Sequence, residues 1–319
     1  MIQSWIRVRP FQEQDMMKMR LTGGALGAVL GVTMYVAAGV AQAQPASETL
    51  QKIESSGVIS IGHRESSIPF SYYDNNHNVI GYSQDLCNKI VEVVKTRLKK
   101  PDLQVRFIPV TSQNRIALVQ NGTVDIECGV TTNLKSRQAQ VNFSNTFFVA
   151  GTRLLVNKQS GIKDFPDLAG KPVVTNAGTT SERILNKMNN DKKMNMSVIS
   201  GKDYGESFTM LQGGRVQAFM MDDVLLAGAR TMGRNPDDWV VTGTPQSFEA
   251  YGFMMKHGDT EFKKLVDDTL AGVMKSGEIN AMYKKWFESP VPPKHINFNF
   301  PMSEQLKQLY ANPNDKAFD

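Results

Sequence analysis

The stretch "VDIECGVTTNLKSRQ", residues 124–138, decides how the chain is read. Val124 to Cys128 is a strand-like run that stops at Gly129. Two adjacent hydroxyls, Thr131 and Thr132, follow, and then a lone arginine, Arg137. A second arginine, Arg115, stands just upstream in "TSQNR". A buried strand that ends in hydroxyls and cations is the pattern expected of an open α/β sheet, where ligands collect beyond the carboxyl ends of the strands.

The flanking sequence repeats that grammar. "VISIGHR" (58–64) reads as a strand, and "VIGYSQDLCNKIVEVVKTRLKK" as a short strand followed by an amphipathic helix from about Asp85 to Lys99. Its apolar residues Leu86, Ile90, Val93, Val94 and Leu98 recur at three and four. "DLQVRFIPV" is a strand, and "SQNRIALVQNG" a short helix stopped by Gly122. This β–α–β–α–β order predicts a parallel sheet with helices on its faces. A second unit follows, with "TRLLVN", "KPVVTN", "SVISG", "VQAFMMD" and "WVVTG" as strands. "TTSERILNKMN", "DYGESFTMLQGG" and "DVLLAGARTM" are its helices. After "SFEAYGFMMKHG" comes a long helix from about Glu261 to Met274, then a helix over "NAMYKKWF". These late helices need a sheet to cover, so the chain is expected to return to the first unit near Tyr251. Crossings near Ala150 and Tyr251 would then serve as hinges.

Polar residues gather after these strands. Arg64 follows the first; Ser112 and Arg115 follow "VRFIPV"; Gly129 to Thr132 follow "VDIEC". In the second unit "NAGTTSE" follows "PVVT", "KDYGES" follows "SVIS", and Asp222–Asp223 follow "QAFMM". "GTTSE" reads as a helix start, with Thr179 as N-cap and Glu182 completing a capping box. Free N–H groups in that first turn can receive an anion, and Thr180 is the better candidate to face it. Of the adjacent acids, Asp223 is the candidate cap and Asp222 the candidate site residue. Each residue alone has a bland reading as a cap or a solvated side chain. Their joint placement at strand ends argues for a site.

Composition narrows the class. The 319 residues suffice for two domains, and 41% hydrophobic with 21% charged residues is ordinary for a globular protein. Lys18 and Arg20 precede "LTGGALGAVLGVTMYVAAGV", which exits through "AQA" (41–43). A basic start, an apolar middle and a small-x-small exit predict a secretory signal peptide over 1–43, cleaved near Ala43, in preference to a retained membrane anchor. Residues 1–15 read as an upstream extension, with Met16, Met17 and Met19 as alternative starts. Of the net charge of +5, residues 1–43 contribute +2 (Arg7, Arg9, Lys18 and Arg20 against Glu13 and Asp15), leaving +3 after cleavage. The basic residues are scattered, so nucleic acid is not an expected partner.

Four dispersed histidines give no metal site and no cofactor is expected; no Ser–His–Asp partnership is readable either. Phe143, Phe147 and Phe148 read as core and hinge packing. Export permits one disulfide between Cys87 and Cys128. Both lie in segments that read as buried, where free cysteine packs as a small apolar group, and that reading is preferred.

Taken together, "GHRESSIPFSYYDNNHNVIGYSQDL", "TSQNR", "NGTVDIECGVTTN", "GTTSE" and "AFMMDDVLLAG" resemble the periplasmic solute-binding proteins of polar amino-acid ABC transporters. This is bacterial solute-binding protein family 3, and the likeness is narrower still to its glutamate/aspartate-binding members. It runs from about Glu48 to the C-terminus. The resemblance implies an α/β periplasmic-binding-protein type II fold, with two α/β lobes joined by a two-strand hinge. Lobe 1 would be 44–149 with 252–319, and lobe 2 would be 150–251. It also implies L-glutamate or L-aspartate as ligand, ABC permease subunits in the inner membrane as partners, a monomer, and no enzymatic activity.

Carried over residue by residue, it assigns the ligand's α-carboxylate to Arg137, Thr132 and Thr180. The α-ammonium goes to Asp222 and an acceptor at Gly129–Val130. The distal carboxylate goes to Arg64, Ser112 and Arg115, with Tyr204 as a further donor. Two departures stand out. Close relatives have "CGSTTN" where this chain has Val130, and a His where it has Tyr204, a donor without charge. Ser67 stands where many members for other amino acids place a stacking aromatic. The rival readings are a lyase on the same fold, like cyclohexadienyl dehydratase, with Tyr204 or Glu127 as its acid, a sensing module that hands its ligand signal to a receptor, and a receptor for another polar amino acid.

Overall fold

The structure is a computed structural model and describes residues 47–317. The signal-peptide reading of 1–43 falls outside the described residues. Among those described, no helix is long and apolar enough to cross a membrane.

The chain enters on α1 (Glu48–Ser56) and runs into β1 (Val58–His63). A small sheet of β2 (Ser66–Ser67), β3 (Ser71–Tyr73) and β4 (Val79–Ile80) leads to α2 (Tyr82–Leu98). Then come β5 (Gln104–Pro109), α3 (Arg115–Gln120), β6 (Ile126–Thr132), α4 (Lys135–Gln138) and β7 (Val141–Phe143). The long strand β8 (Phe148–Asn157) opens a second set: β9 (Pro172–Asn176), α5 (Thr180–Asp191), β10 (Ser197–Gly201), α6 (Tyr204–Gln212), β11 (Ala218–Asp222), α7 (Asp223–Arg230) and β12 (Trp239–Thr242). A second long strand, β13 (Phe248–Lys256), returns to the first set, followed by α8 (Thr260–Lys275), α9 (Glu278–Phe287), the short pair β14 (Pro290–Val291) and β15 (Ile296–Asn297), and α10 (Glu304–Ala311).

The main sheet runs β10–β9–β11–β8–β13–β6–β1–β5. β5, β1 and β6 are parallel, as are β10, β9 and β11. Between these triplets lie β8 and β13, antiparallel to each other and to the strands beside them. Both expected crossings are therefore strands, and they pair with one another from Phe148↔Tyr251 to Gly151↔Phe248. The second of these strands lies within "SFEAYGFMMKHG", which the resemblance implied as part of a two-strand hinge but the residue pattern alone did not mark as a strand.

Aromatic residues pack along these two strands. Phe148 lies 5.9 Å from Tyr251, 6.2 Å from Tyr283 and 5.0 Å from Phe287, centroid to centroid. Each such pair contributes about 0.5–1.5 kcal/mol beyond simple burial. On α2 the buried face is Leu86, Cys87, Ile90, Val91 and Val94. Val93, expected on that face, is 39% exposed, because the helix turns Cys87 and Val91 inward instead.

Cys87 on α2 and Cys128 on β6 form a disulfide. This corrects the preference for free cysteines. Burial did not distinguish the two states, because the two side chains face each other across a helix–sheet contact that no local pattern encodes.

Candidate functional site

Three guanidiniums converge where β1, β6 and α3 end or begin. Arg64 follows β1 directly; its backbone N–H donates to Ser71 Oγ at 2.9 Å, which fixes the chain's exit from the strand. Arg115 opens α3, and Arg137 lies on α4, the half-turn after β6. They are only 2%, 2% and 8% exposed. Arg137 donates to the Thr132 carbonyl at 2.9 Å and the Gly178 carbonyl at 3.3 Å. Arg115 reaches the Val130 carbonyl at 3.4 Å. The Arg64 guanidinium sits over the Tyr204 ring, 4.9 Å from its centroid, a cation–π contact.

Several donors there have no acceptor among the described residues: Arg64 Nη1, Arg115 Nε and the Ser112 hydroxyl. Burial pushes the Arg115 guanidinium below its usual pKa, against the pull of the Glu127 carboxylate and with help from Arg64. Burial, and then repulsion from Arg115, brings Arg137 to about 9. Glu127 is raised by burial, with Arg115 and a bond from Thr131 working against it. A buried charge without a partner is costly, so this pole is arranged to receive an anion.

The acidic part lies on β11 and β13. Asp222, at the end of β11, accepts from Tyr251 through Oδ2, and its Oδ1 is 3.2 Å from Thr152 Oγ1. Burial first, and then the Glu249 charge, holds the Asp222 carboxyl well above the usual carboxylate range. Glu249 is 2% exposed, whereas Phe248 beside it is 59% exposed. Sequence reading passed over Glu249, Tyr251 and Thr152. The sequence offered only a partial signal for Glu249, a lone acid within an apolar run.

Backbone geometry brings the two sets of elements together. Gly178 has φ +76°, and a Cβ there would lie 2.9 Å from the Ser112 carbonyl, so only glycine fits without displacement. A Cβ on Gly129 would lie 2.1 Å from Glu127 Oε1 and 3.2 Å from Arg64 Cγ. The Gly129 carbonyl accepts from Ser83 at 2.8 Å.

All ten sequence-predicted positions, Arg64, Ser112, Arg115, Gly129, Val130, Thr132, Arg137, Thr180, Tyr204 and Asp222, are buried at or beside these contacts. Some details go beyond what the sequence led one to expect. The Tyr204 contact is made by the face of its ring on Arg64. The Thr180 hydroxyl donates to Glu249 Oε2 at 2.9 Å, which leaves its first-turn N–H as the group to offer a ligand. Thr179 does cap α5, accepting from Glu182 N at 3.1 Å, but the Glu182 carboxylate reaches Gly178 N at 2.8 Å, not the Thr179 N–H of a capping box. Ser67 is fully buried, and its hydroxyl has no partner among the described residues. Among the described residues no group of His, Cys, Asp or Glu is arranged to hold a metal.

Comparison with known proteins identifies the family. Residues 59–289 match the family described as bacterial extracellular solute-binding proteins, family 3. The chain is 56% identical over 292 residues to the glutamate/aspartate import solute-binding protein of Salmonella typhimurium, covering 90% of this chain and 97% of that protein. It is 60% identical over 270 residues to the L-glutamate/L-aspartate-binding protein of Pseudomonas aeruginosa, covering 84% and 89%. Among solved structures, an ancestral arginine-binding protein bound to arginine superposes with a TM-score of 0.64 at 28% identity, covering 72% of this chain and 98% of that one.

Proposed function

Because the chain belongs to the bacterial extracellular solute-binding proteins of family 3, we propose that it captures L-glutamate or L-aspartate in the periplasm and delivers it to an ABC permease. The observation that carries the ligand class is the set of three buried guanidiniums, none in a salt bridge with a described carboxylate, beside a buried acid. An acidic amino acid has two carboxylates and one ammonium, which is the complement of that arrangement. The names of the two relatives support the same ligands.

In this reading Arg137 and the Thr180 N–H take the α-carboxylate, with Thr132 beside them. Asp222 takes the ammonium, with the Gly129–Val130 backbone as an added acceptor. Arg64, Arg115 and Ser112 take the distal carboxylate, and Tyr204 backs Arg64. Lobe 1 comprises 44–149 and 252–319, and lobe 2 comprises 150–251, with residues 1–43 removed on export. The Arg137–Gly178 and Arg64–Tyr204 contacts join residues of the two lobes. Ligand contacts complete only in the closed form shift the population toward closure. The protein works as a monomeric receptor, and the same-fold lyase is disfavoured because the similar relatives reported above are named as binding proteins.

Thermal unfolding tests this. L-Glutamate or L-aspartate at one hundred times its dissociation constant should stabilise the folded protein by about 2.7 kcal/mol. Melting curves unmoved by both would reject the assignment.

A further inference from the structure

A chain of oxygens runs through the acidic end of the site: Tyr251 hydroxyl, Asp222 carboxylate, Thr152 hydroxyl, Ser247 hydroxyl, Glu249 carboxylate, Thr180 hydroxyl. Consecutive groups are in hydrogen-bond contact: Tyr251 with Asp222, then Asp222–Thr152 at 3.2 Å, Thr152–Ser247 at 2.7 Å, Ser247–Glu249 at 2.5 Å and Glu249–Thr180 at 2.9 Å. Thr152 also lies 3.3 Å from Glu249 Oε1.

Each link needs one proton. The chain has five links, and its four hydroxyls supply four protons. If Thr152 donates to Asp222 and Ser247 donates to Glu249, the Thr152–Ser247 link has none. If either hydroxyl turns to fill that link, a carboxylate oxygen is left facing a lone pair. A fifth proton, carried by one of the carboxyls, completes every link.

We infer that Asp222 and Glu249 together hold one proton in the ligand-free protein, that Glu249 is a second acceptor for the ligand's ammonium, and that ligand binding expels the proton to solvent. The inference rests on the proposed amino-acid ligand and concerns the charge state of its ammonium site. An ammonium brings three donors and a positive charge. It can satisfy oxygens that the shared proton served, and it stabilises both carboxylates as anions.

The charged surroundings agree. Asp223 on α7 adds a further negative charge near Asp222. The Tyr251 hydroxyl is pushed well above its usual pKa by burial first and by Asp222 next, so it stays a donor. Arg137 and Glu249 attract one another, and Tyr204 is a further ionisable neighbour of Tyr251. The pair's proton-bound state also makes ligand affinity depend on pH. Affinity rises with pH while the free pair is protonated and levels off once the pair has ionised.

The test is calorimetric titration of the full protein with L-glutamate at one neutral pH in buffers of different ionisation enthalpy. The expected result is a buffer-dependent heat that corresponds to release of about one proton, with affinity gaining up to about tenfold per pH unit below the plateau. In Glu249→Gln, checked for an intact melting transition, both the released proton and the pH slope should disappear. Wild-type heats that are the same in every buffer would overturn the inference while leaving the ligand reading intact, as would undiminished proton release from Glu249→Gln. The wild-type series decides the matter even if the variant does not fold. Absence of any binding of L-glutamate or L-aspartate would instead overturn the ligand reading and this inference with it.

Discussion

Arg137→Met should raise the dissociation constant for L-glutamate by about 10²–10³-fold while barely moving the melting temperature of the ligand-free protein. The first effect follows from the role proposed for Arg137. A ligand carboxylate left unpaired in a buried site costs about 3–5 kcal/mol, and Met fills a comparable volume without offering a donor. The second follows from two opposed terms. The variant loses the bonds to the Thr132 and Gly178 carbonyls, each worth about 1–3 kcal/mol when a charged group donates. It also removes a buried cation held far from its preferred state, at a pKa of about 9, chiefly by desolvation. A change in affinity without a change in stability separates a ligand contact from a structural one. Isothermal titration and circular-dichroism melts check the two halves. Unchanged affinity would mean that Arg137 does not meet the ligand.

The double substitution Cys87→Ala/Cys128→Ala should show the reverse, a large loss of stability with little change in affinity. The disulfide closes a loop with a sequence separation of 41. In the chain-entropy account such a loop contributes about 4 kcal/mol, which for a domain of this size lowers the melting temperature by roughly 10 °C. Affinity should hold within a few-fold, because β6 remains paired to β1 on one side and to β13 on the other, and those strands position Gly129 to Thr132. Thermal melts with and without reductant read the effect directly. Equal melting temperatures for wild type and variant would mean that the bond contributes nothing.

What was legible in the sequence was local. Strands such as Val58–His63 and helices such as Thr180–Asp191 announce themselves by apolar runs, caps and glycine stops, and the polar residues after them mark the site. Arg64, Arg115 and Arg137 could be grouped because strand ends in such sheets face a common side. What escaped was set by pairing between distant segments. β13 carries Glu249 and Gly252 within its run, and its register with β6 shifts between Gly252 and Met254. A strand like this is held by its neighbours on both sides more than by its own propensities. Glu249 was missed for that reason, since only the register shows that its carboxylate points inward. α1 and α10 were missed too; the first is tied down when Ser47 and Thr49 bond to Asp259 at the start of α8, a contact across more than two hundred residues. The bond from the Thr180 hydroxyl to Glu249 and the ring-face contact of Tyr204 on Arg64 were not legible either, because a residue's position does not reveal which of its groups a neighbour has already engaged.

The central claim is that two buried arginines at one end of the site and one at the other select an amino acid with a second negative charge. Calorimetric titration of the purified protein against L-glutamate, L-aspartate, L-glutamine and L-arginine at one ionic strength tests it most directly. Saturable one-to-one binding of L-glutamate or L-aspartate is predicted, with L-glutamine at least about a hundredfold weaker, since its amide leaves Arg64 or Arg115 without an anion, and with no heat from L-arginine. Tightest binding of L-glutamine or L-arginine would contradict it.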